Sequence, residues 1–300
     1  MIPKYPYIGY ETMCKQVPIT FPPQHQEVQP GLEYLMQPIP ISDNLAYKGS
    51  GKLLGKVAII TGGDSGIGRA IAIGFAKEGA NSVITFMPHE RADAEATKQM
   101  VEAYGQSILL IEGDLRHPDF SKEVVRKTIE CYGRLDSLVL NQGVQFPQQS
   151  ILDISNEQLY DTYKTNIFPL FYMTKAGLPY MKQGGTIIST ASVTAYAGAP
   201  LLVDYSSTKG AIVSFTRSLS LQLVSKGIRV NAVAPGPIWT PLTVSSYPAE
   251  YVKTFGSDTP MKRAGQPFEL APTYIYLASD DSSFVTGQVL HVNGGIMTET

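Results

Sequence analysis

Cysteine is almost missing from this chain of 300 residues: Cys14 and Cys131 are the whole complement. Two thiols build no disulfide framework, and so sparse a usage fits a reducing compartment. Cys131 falls in a helix-like run and reads as a small core residue rather than a nucleophile. Charge is scarce too. Asp, Glu, Lys and Arg make up 17% of the chain, against about 25% in a typical domain, which points to part of the surface being buried against other subunits. A basic excess is absent: 24 Lys and Arg face 26 Asp and Glu, for a net charge of −2. That argues against a nucleic-acid partner, because phosphate binding needs clustered cations. No apolar run reaches the length of a membrane span. The opening Met1-Ile2-Pro3-Lys4-Tyr5-Pro6 lacks the apolar core of a secretory signal. A cytoplasmic protein without a metal centre is the expectation.

What is present divides the chain in two. Residues 1–50 hold eight of the 21 prolines, several glutamines and five tyrosines, with no lasting periodicity. Proline fixes φ and removes donors, so this extension reads as extended chain. It is either a disordered tail or an arm that lays its aromatics on the domain or on a neighbouring subunit. From Gly51 to the end, short apolar runs alternate with helical stretches. Strands are expected at 57–60, 83–86, 108–111, 138–140, 186–189, 228–234 and 288–292. Helices are expected at 68–77, 90–104, 118–132, within 156–181, and at 204–226 and 267–278. Continuously apolar strands alternating with helices mean a parallel sheet covered on both faces. The expected fold is a Rossmann-type, doubly wound α/β domain with seven parallel strands, over residues 51–300.

The first strand runs into Gly62-Gly63-Asp64-Ser65-Gly66-Ile67-Gly68, where a helix starts. Glycines there let the backbone turn tightly and approach a pyrophosphate at the helix N-terminus. The position between strand and helix supports a dinucleotide site. An acidic residue ending the second strand would bond the adenosine ribose and repel a 2′-phosphate. Here that strand ends Thr85-Phe86-Met87-Pro88-His89, and no carboxylate precedes Glu90. This favours NADP(H), with Thr85 as a donor and Arg91 as the nearest cation.

Tyr205 and Lys209 lie four residues apart in a helical run and share one face. A cation beside a phenol stabilises phenolate and lowers its pKa from about 10. Such a tyrosine can pass a proton to and from a carbonyl oxygen. Ser192 lies just beyond the fifth strand, where open α/β sheets bind ligands, and could hold the substrate oxygen. Asn166, inside the preceding helix, is either a water relay to Lys209 or a core amide bonded to backbone.

Together with Gly113-Asp114-Leu115, Pro235-Gly236 and the closing Thr286-Gly-Gln-Val-Leu-His-Val-Asn-Gly-Gly295, these pieces resemble the short-chain dehydrogenase/reductase family over residues 51–300. The chain looks most like its glucose/ribitol dehydrogenase-like branch, whose members carry a Pro-rich N-terminal extension. The resemblance implies a catalytic tetrad of Asn166, Ser192, Tyr205 and Lys209. It implies that Asp114 bonds the adenine amine and that Leu115 packs on the ring. It also implies that Pro235, Gly236, Ile238 and Thr240 flank the nicotinamide, that Lys209 bonds its ribose, and that the assembly is a homotetramer. The family's Asn-Asn-Ala-Gly becomes Leu140-Asn141-Gln142-Gly143, so Asn141 remains while Gln142 either crowds the cofactor or bonds it. The substrate pocket is expected under 242–260, with Tyr247, Tyr251 and Phe255, and with Val193, Tyr196 and Leu201 near Ser192. A neutral carbonyl or alcohol fits. The other readings are a non-catalytic dinucleotide binder and an epimerase or dehydratase on the same fold.

Overall fold

The computed structural model describes residues 8–12 and 16–298; Cys14 and the arm's first seven residues lie outside them. The arm contributes an antiparallel pair, β1 (Ile8–Thr12) and β2 (Gln16–Thr20). The domain then follows with β3 (Val57–Thr61), α1 (Gly66–Lys77), β4 (Asn81–Phe86), α2 (Arg91–Glu102), β5 (Ile108–Glu112), α3 (Pro118–Tyr132) and β6 (Leu135–Leu140). Next come α4 (Asn156–Asn166), α5 (Phe168–Gly177), β7 (Met181–Thr190), α6 (Thr194–Ala197), α7 (Val203–Leu223) and β8 (Arg229–Pro235). The chain finishes with α8 (Pro241–Val244), α9 (Ala249–Val252), α10 (Ala271–Ala278) and β9 (Val289–Val292).

Seven strands pair in parallel in the order β5-β4-β3-β6-β7-β8-β9. The continuous apolar runs are explained by two cores, one on each face. Ile60, Ile84, Val139, Ile188 and Val233 point to a layer with Ile71 and Phe75 of α1 and Tyr274 of α10. Their neighbours Ile59, Val83, Leu138, Ile187 and Ala232 point to the other layer, with Val125 of α3, Met173 of α5 and Ile212 of α7. Adjacent strand residues face opposite sides, so every position in the run is buried. This is the doubly wound domain expected. The order in which strands are added reverses between β3 and β6, and that switch point opens a crevice at the strand ends.

Two expectations need correction, and one open alternative is decided. The helix expected within 156–181 is two helices, because Pro169, in the first turn of α5, has no N–H to carry the helical ladder on from α4. Asn166 therefore ends α4 rather than lying inside a helix. Cys131 is exposed on α3, not in the core; Tyr132 takes the packed position beside it. The arm from Phe21 to Tyr47 is packed onto the domain. Phe21 stacks on Trp239 at 3.8 Å, Trp239 Nε1 donates to the Pro38 carbonyl at 2.8 Å, and the Tyr47 hydroxyl bonds Glu78.

Candidate active site

A cleft of about 450 Å³ runs along the carboxyl ends of the strands, from the glycine turn to the segment after α8. Gly62 and Gly66 take φ values of +58° and +50°, which only glycine adopts freely. Gly62, Asp64, Ser65, Gly66 and Ile67 line the cleft, so the first turn of α1 faces it, with the Gly66 N–H taken by the Glu33 carboxylate at 2.6 Å. Gly68 does not line it. A Cβ there would run into the Gly62 carbonyl, so its place is close packing of helix on turn.

Asn141 braces this turn. Its Nδ2 donates to the Gly62 carbonyl at 3.1 Å, and its Oδ1 accepts from Thr190 Oγ1 at 3.0 Å, linking β3 to β7. Gln142 neither protrudes nor hangs free: its Oε1 accepts from the Thr61 hydroxyl, and its Nε2 donates to the Thr165 carbonyl at 3.4 Å.

At the adenosine end Asp114 and Leu115 line the cleft. Asp114 already grips Arg116, whose guanidinium also reaches Asp161 at 2.7 Å. Burial raises the Asp114 carboxyl, and its bonds with Arg116 more than offset that, leaving it below the usual range. Arg91 is exposed and bonded to Glu112 at 2.7 Å. Thr85 lines the cleft, and its Oγ1 accepts the Gly62 N–H at 3.4 Å, which leaves its own hydrogen to donate.

The second strand does meet a carboxylate. A 3₁₀ turn, Pro88–Glu90, brings Glu90 back so that its Oε2 accepts the Met87 N–H at 2.7 Å. Glu90 and Asp64 both line the cleft beside Thr85, Phe86 and Met87. Burial pushes Glu90 up to about 9, with Asp64 and Asp93 adding to it. Burial also lifts Asp64 to about 6, against the pull of Ser65 and Arg69. Asp64 Oδ2 is buried with no hydrogen-bond partner among the described residues, and a ribose hydroxyl would satisfy it.

At the other end α7 presents Tyr205 and Lys209 to the cleft on one face. Lys209 Nζ lies 5.3 Å from the Tyr205 ring centroid and donates to the Thr190 carbonyl at 2.8 Å. Ser192 lines the same wall, and its Oγ accepts from the N–H and Oγ1 of Thr194 at 3.1 and 3.0 Å. Its own hydrogen is then directed at Tyr205. The expected lowering of the Tyr205 pKa is not what the structure gives. Burial pushes it up to about 12, with the Ser192 bond opposing, while burial pushes Lys209 down to about 7. In so dry a wall the ammonium is itself disfavoured, so it lends the phenol little charge.

Asn166 does not line the cleft. Its amide accepts the Val144 N–H at 2.8 Å, donates to the Val144 carbonyl at 3.0 Å and reaches Thr208 at 3.1 Å. The side chain is thus the backbone-bonded amide of the two alternatives. Pro235, Gly236, Ile238 and Thr240 line the wall across from the turn. Tyr247, Tyr251 and Phe255 roof the far end, with Tyr247 stacked on Tyr251 at 4.4 Å. Val193 lines the pocket as expected. Tyr196 and Leu201 are replaced there by Ala199 and Leu202, and Tyr196 packs on His291. Sequence reasoning missed Gln29, Pro30 and Gly31 of the arm, and Gln145, which all line the cleft.

Residues 62–297 match the family model described as Enoyl-(Acyl carrier protein) reductase. An oxidoreductase of Bacillus subtilis (strain 168), YhxC, is 58% identical over 94% of this chain and 98% of its own. The glucose and ribitol dehydrogenase of Daucus carota is 51% identical, over 92% of this chain and 96% of its own. The chain belongs to the short-chain dehydrogenase/reductase family. Within it, the chloroplastic NADPH-dependent aldehyde reductase 1 of Arabidopsis thaliana is 49% identical, covering 91% of this chain and 96% of its own. A short-chain dehydrogenase of Burkholderia cenocepacia J2315, solved in complex with NADP, superposes with a TM-score of 0.76. It is 28% identical and covers 81% of this chain and 98% of its own. The protein is therefore an oxidoreductase of a family that binds nicotinamide dinucleotides and acts on small molecules. Among the described residues no helix is long and apolar enough to cross a membrane.

Proposed function

We propose that this oxidoreductase uses NADP(H) to interconvert a carbonyl, ketone or aldehyde, and its alcohol, with Tyr205 as acid/base. The observation that carries this reading is the convergence of the Ser192 and Tyr205 hydroxyls and the Lys209 ammonium on one wall of the cleft that begins at the glycine turn before α1. Gly62, Ser65, Gly66, Asp114 and Lys209 would hold the dinucleotide, which would supply or accept the hydride. Every other role falls to the chain. Ser192 directs its hydrogen at the substrate oxygen, since Thr194 already fills its acceptor side. Tyr205 gives its proton to that oxygen in reduction and recovers it in oxidation. Lys209 has three donors and bonds Thr190 with one of them. Its other two donors would hold the hydroxyls of a bound ribose, and the charged form so favoured would in turn favour phenolate at Tyr205. Asn166 fixes the Val144 backbone beside this wall and so takes a positioning role.

The choice of NADP(H) is supported by the NADPH-dependent aldehyde reductase and the NADP complex among the relatives. Among the described lining residues the cations are Arg116 and Lys209, and Asp258 lies by the aromatic roof. A neutral substrate fits better than a phosphorylated one. Exposed Tyr160 of α4, Phe171 of α5 and Leu221 of α7 offer the apolar faces for the homotetramer that we also propose.

The test is a titration of NADPH and NADH by nicotinamide fluorescence on wild type and Tyr205→Phe. Binding by both proteins, with carbonyl-dependent oxidation by wild type alone, is the expected result. A fall of about 10²-fold or more is the scale of a lost acid/base group. Binding of neither dinucleotide would withdraw the assignment.

A further inference from the structure

The arm enters the cleft that the dinucleotide reading assigns to the cofactor. Residues 26–32 form a closed loop. Gln26 Oε1 accepts the Leu32 N–H at 2.7 Å and its Nε2 donates to the Leu32 carbonyl at 2.9 Å, pinching the base. The Gln26 N–H donates to the Val244 carbonyl of α8 at 2.8 Å. The tip, residues 29–31, faces the cleft. There Gln29 commits its whole amide to the two walls. Nε2 donates to the Gln145 carbonyl at 2.6 Å and to the Ser245 carbonyl at 3.2 Å, while Oε1 accepts the Gln145 N–H at 3.1 Å. Gln145 stands in the loop after β6, and Ser245 closes α8.

Beyond the tip the arm reaches the opposite side. The Pro30 carbonyl bonds the His89 ring at 3.0 Å. The buried Glu33 carboxylate accepts the Gly66 N–H at 2.6 Å and pairs with Arg69. Asp93 accepts the N–H groups of Glu33 and Tyr34 at 2.7 and 3.1 Å. The arm thus runs from α8 to α2 past the glycine turn. It is also coupled inward. Gln145 adjoins Val144, whose N–H and carbonyl Asn166 holds, and Gly143 lies against Asn166 Oδ1 and Lys209 Nζ.

We propose that Gln29 is a positioning residue of the active site, tying the Gln145 loop to the α8 segment across the cleft and retaining the dinucleotide beneath the arm. The proposal rests on the dinucleotide reading above. Bound dinucleotide leaves when these ties open, so release is slow and set by the arm. The seat is close: a Cβ on Gly31 would stand 2.8 Å from the Pro241 carbonyl oxygen and 3.0 Å from Ser245 Cβ.

The test measures NADPH release by stopped flow, following loss of nicotinamide fluorescence when the complex meets excess NADP⁺. Wild type, Gln29→Ala and Gly31→Ala are compared, with thermal unfolding of each. Losing the three bonds of Gln29 should speed release about tenfold or more. Gly31→Ala, which keeps those groups but lifts the loop from α8, should change release in the same direction. Release unchanged in both variants overturns the proposal and leaves the dinucleotide reading standing. A drop in melting temperature without faster release also overturns it, since Gln29 would then serve folding alone. NADPH binding by none of the three proteins, wild type included, overturns both.

Discussion

Replacing Glu90 by Gln should stabilise the protein, and by an amount that grows with pH. Glu90 is a carboxyl walled in beside Asp64 and Asp93, and burial lifts its pKa from an ordinary 4.5 to about 9. The sign follows from linkage. A group whose folded pKa lies above its unfolded one favours folding while protonated. That contribution is complete below pH 4.5 and is withdrawn as pH rises through the folded value. Each pKa unit is worth about 1.4 kcal/mol. At pH 7 the interval from 4.5 spans about 2.5 units, so wild type carries a burden of about 3 kcal/mol that an amide would not. At pH 9 the burden approaches about 6 kcal/mol, shared with Asp64 because the two carboxyls titrate as a pair. Glutamine keeps the local geometry, since its oxygen can still accept the Met87 N–H that Glu90 accepts at 2.7 Å. Urea midpoints and slopes at pH 5.5, 7 and 8.5, at one protein concentration, read the difference. The two proteins should converge toward pH 5 and separate above it. Parallel curves across that range would refute the reasoning, because the gap would then owe nothing to ionisation.

The same substitution bears on the cofactor: Glu90→Gln should raise the affinity ratio of NADPH to NADH, most above pH 8, where the 2′-phosphate is already fully charged. A ratio unmoved by the change places Glu90 away from the ribose. Glu33→Ala removes the carboxylate that pairs with buried Arg69 and caps the Gly66 N–H, and should cost about 3 kcal/mol in urea unfolding. Gly68→Ala should abolish dinucleotide binding in fluorescence titration while circular dichroism keeps the helical signal, because the new Cβ meets the Gly62 carbonyl and stands 2.8 Å from Gly63 Cα, forcing the turn open.

What could be read in the sequence was what local chain chemistry encodes. Strands buried on both faces must be apolar throughout, so the seven-stranded sheet showed itself as runs such as Val57–Ile60. The glycine turn and the Tyr205–Lys209 spacing depend on neighbours along the chain and were equally plain. Two misses had local signals. Pro169 marks the break between α4 and α5, since it has no N–H to bond the Thr165 carbonyl four residues back. Met87-Pro88-His89-Glu90 has the three-residue spacing of a capping box, which folds the glutamate back to the strand end. The arm is a different case. Its decisive contacts reach from Gln29 to Gln145 and Ser245, 116 and 216 residues away, and no periodicity can encode those. Yet composition does hold a physical clue. A proline-rich segment is short of N–H donors and pairs little as helix or sheet beyond β1 and β2, so much of its order comes from side chains bonding main chain. Glutamine offers both a donor and an acceptor on one amide. Gln24 bonds Pro22 and Gln37, Gln26 bonds Leu32, and Gln29 bonds Gln145 and Ser245. The glutamines that gave the extension the look of a solvated tail are the groups that hold it to the cleft.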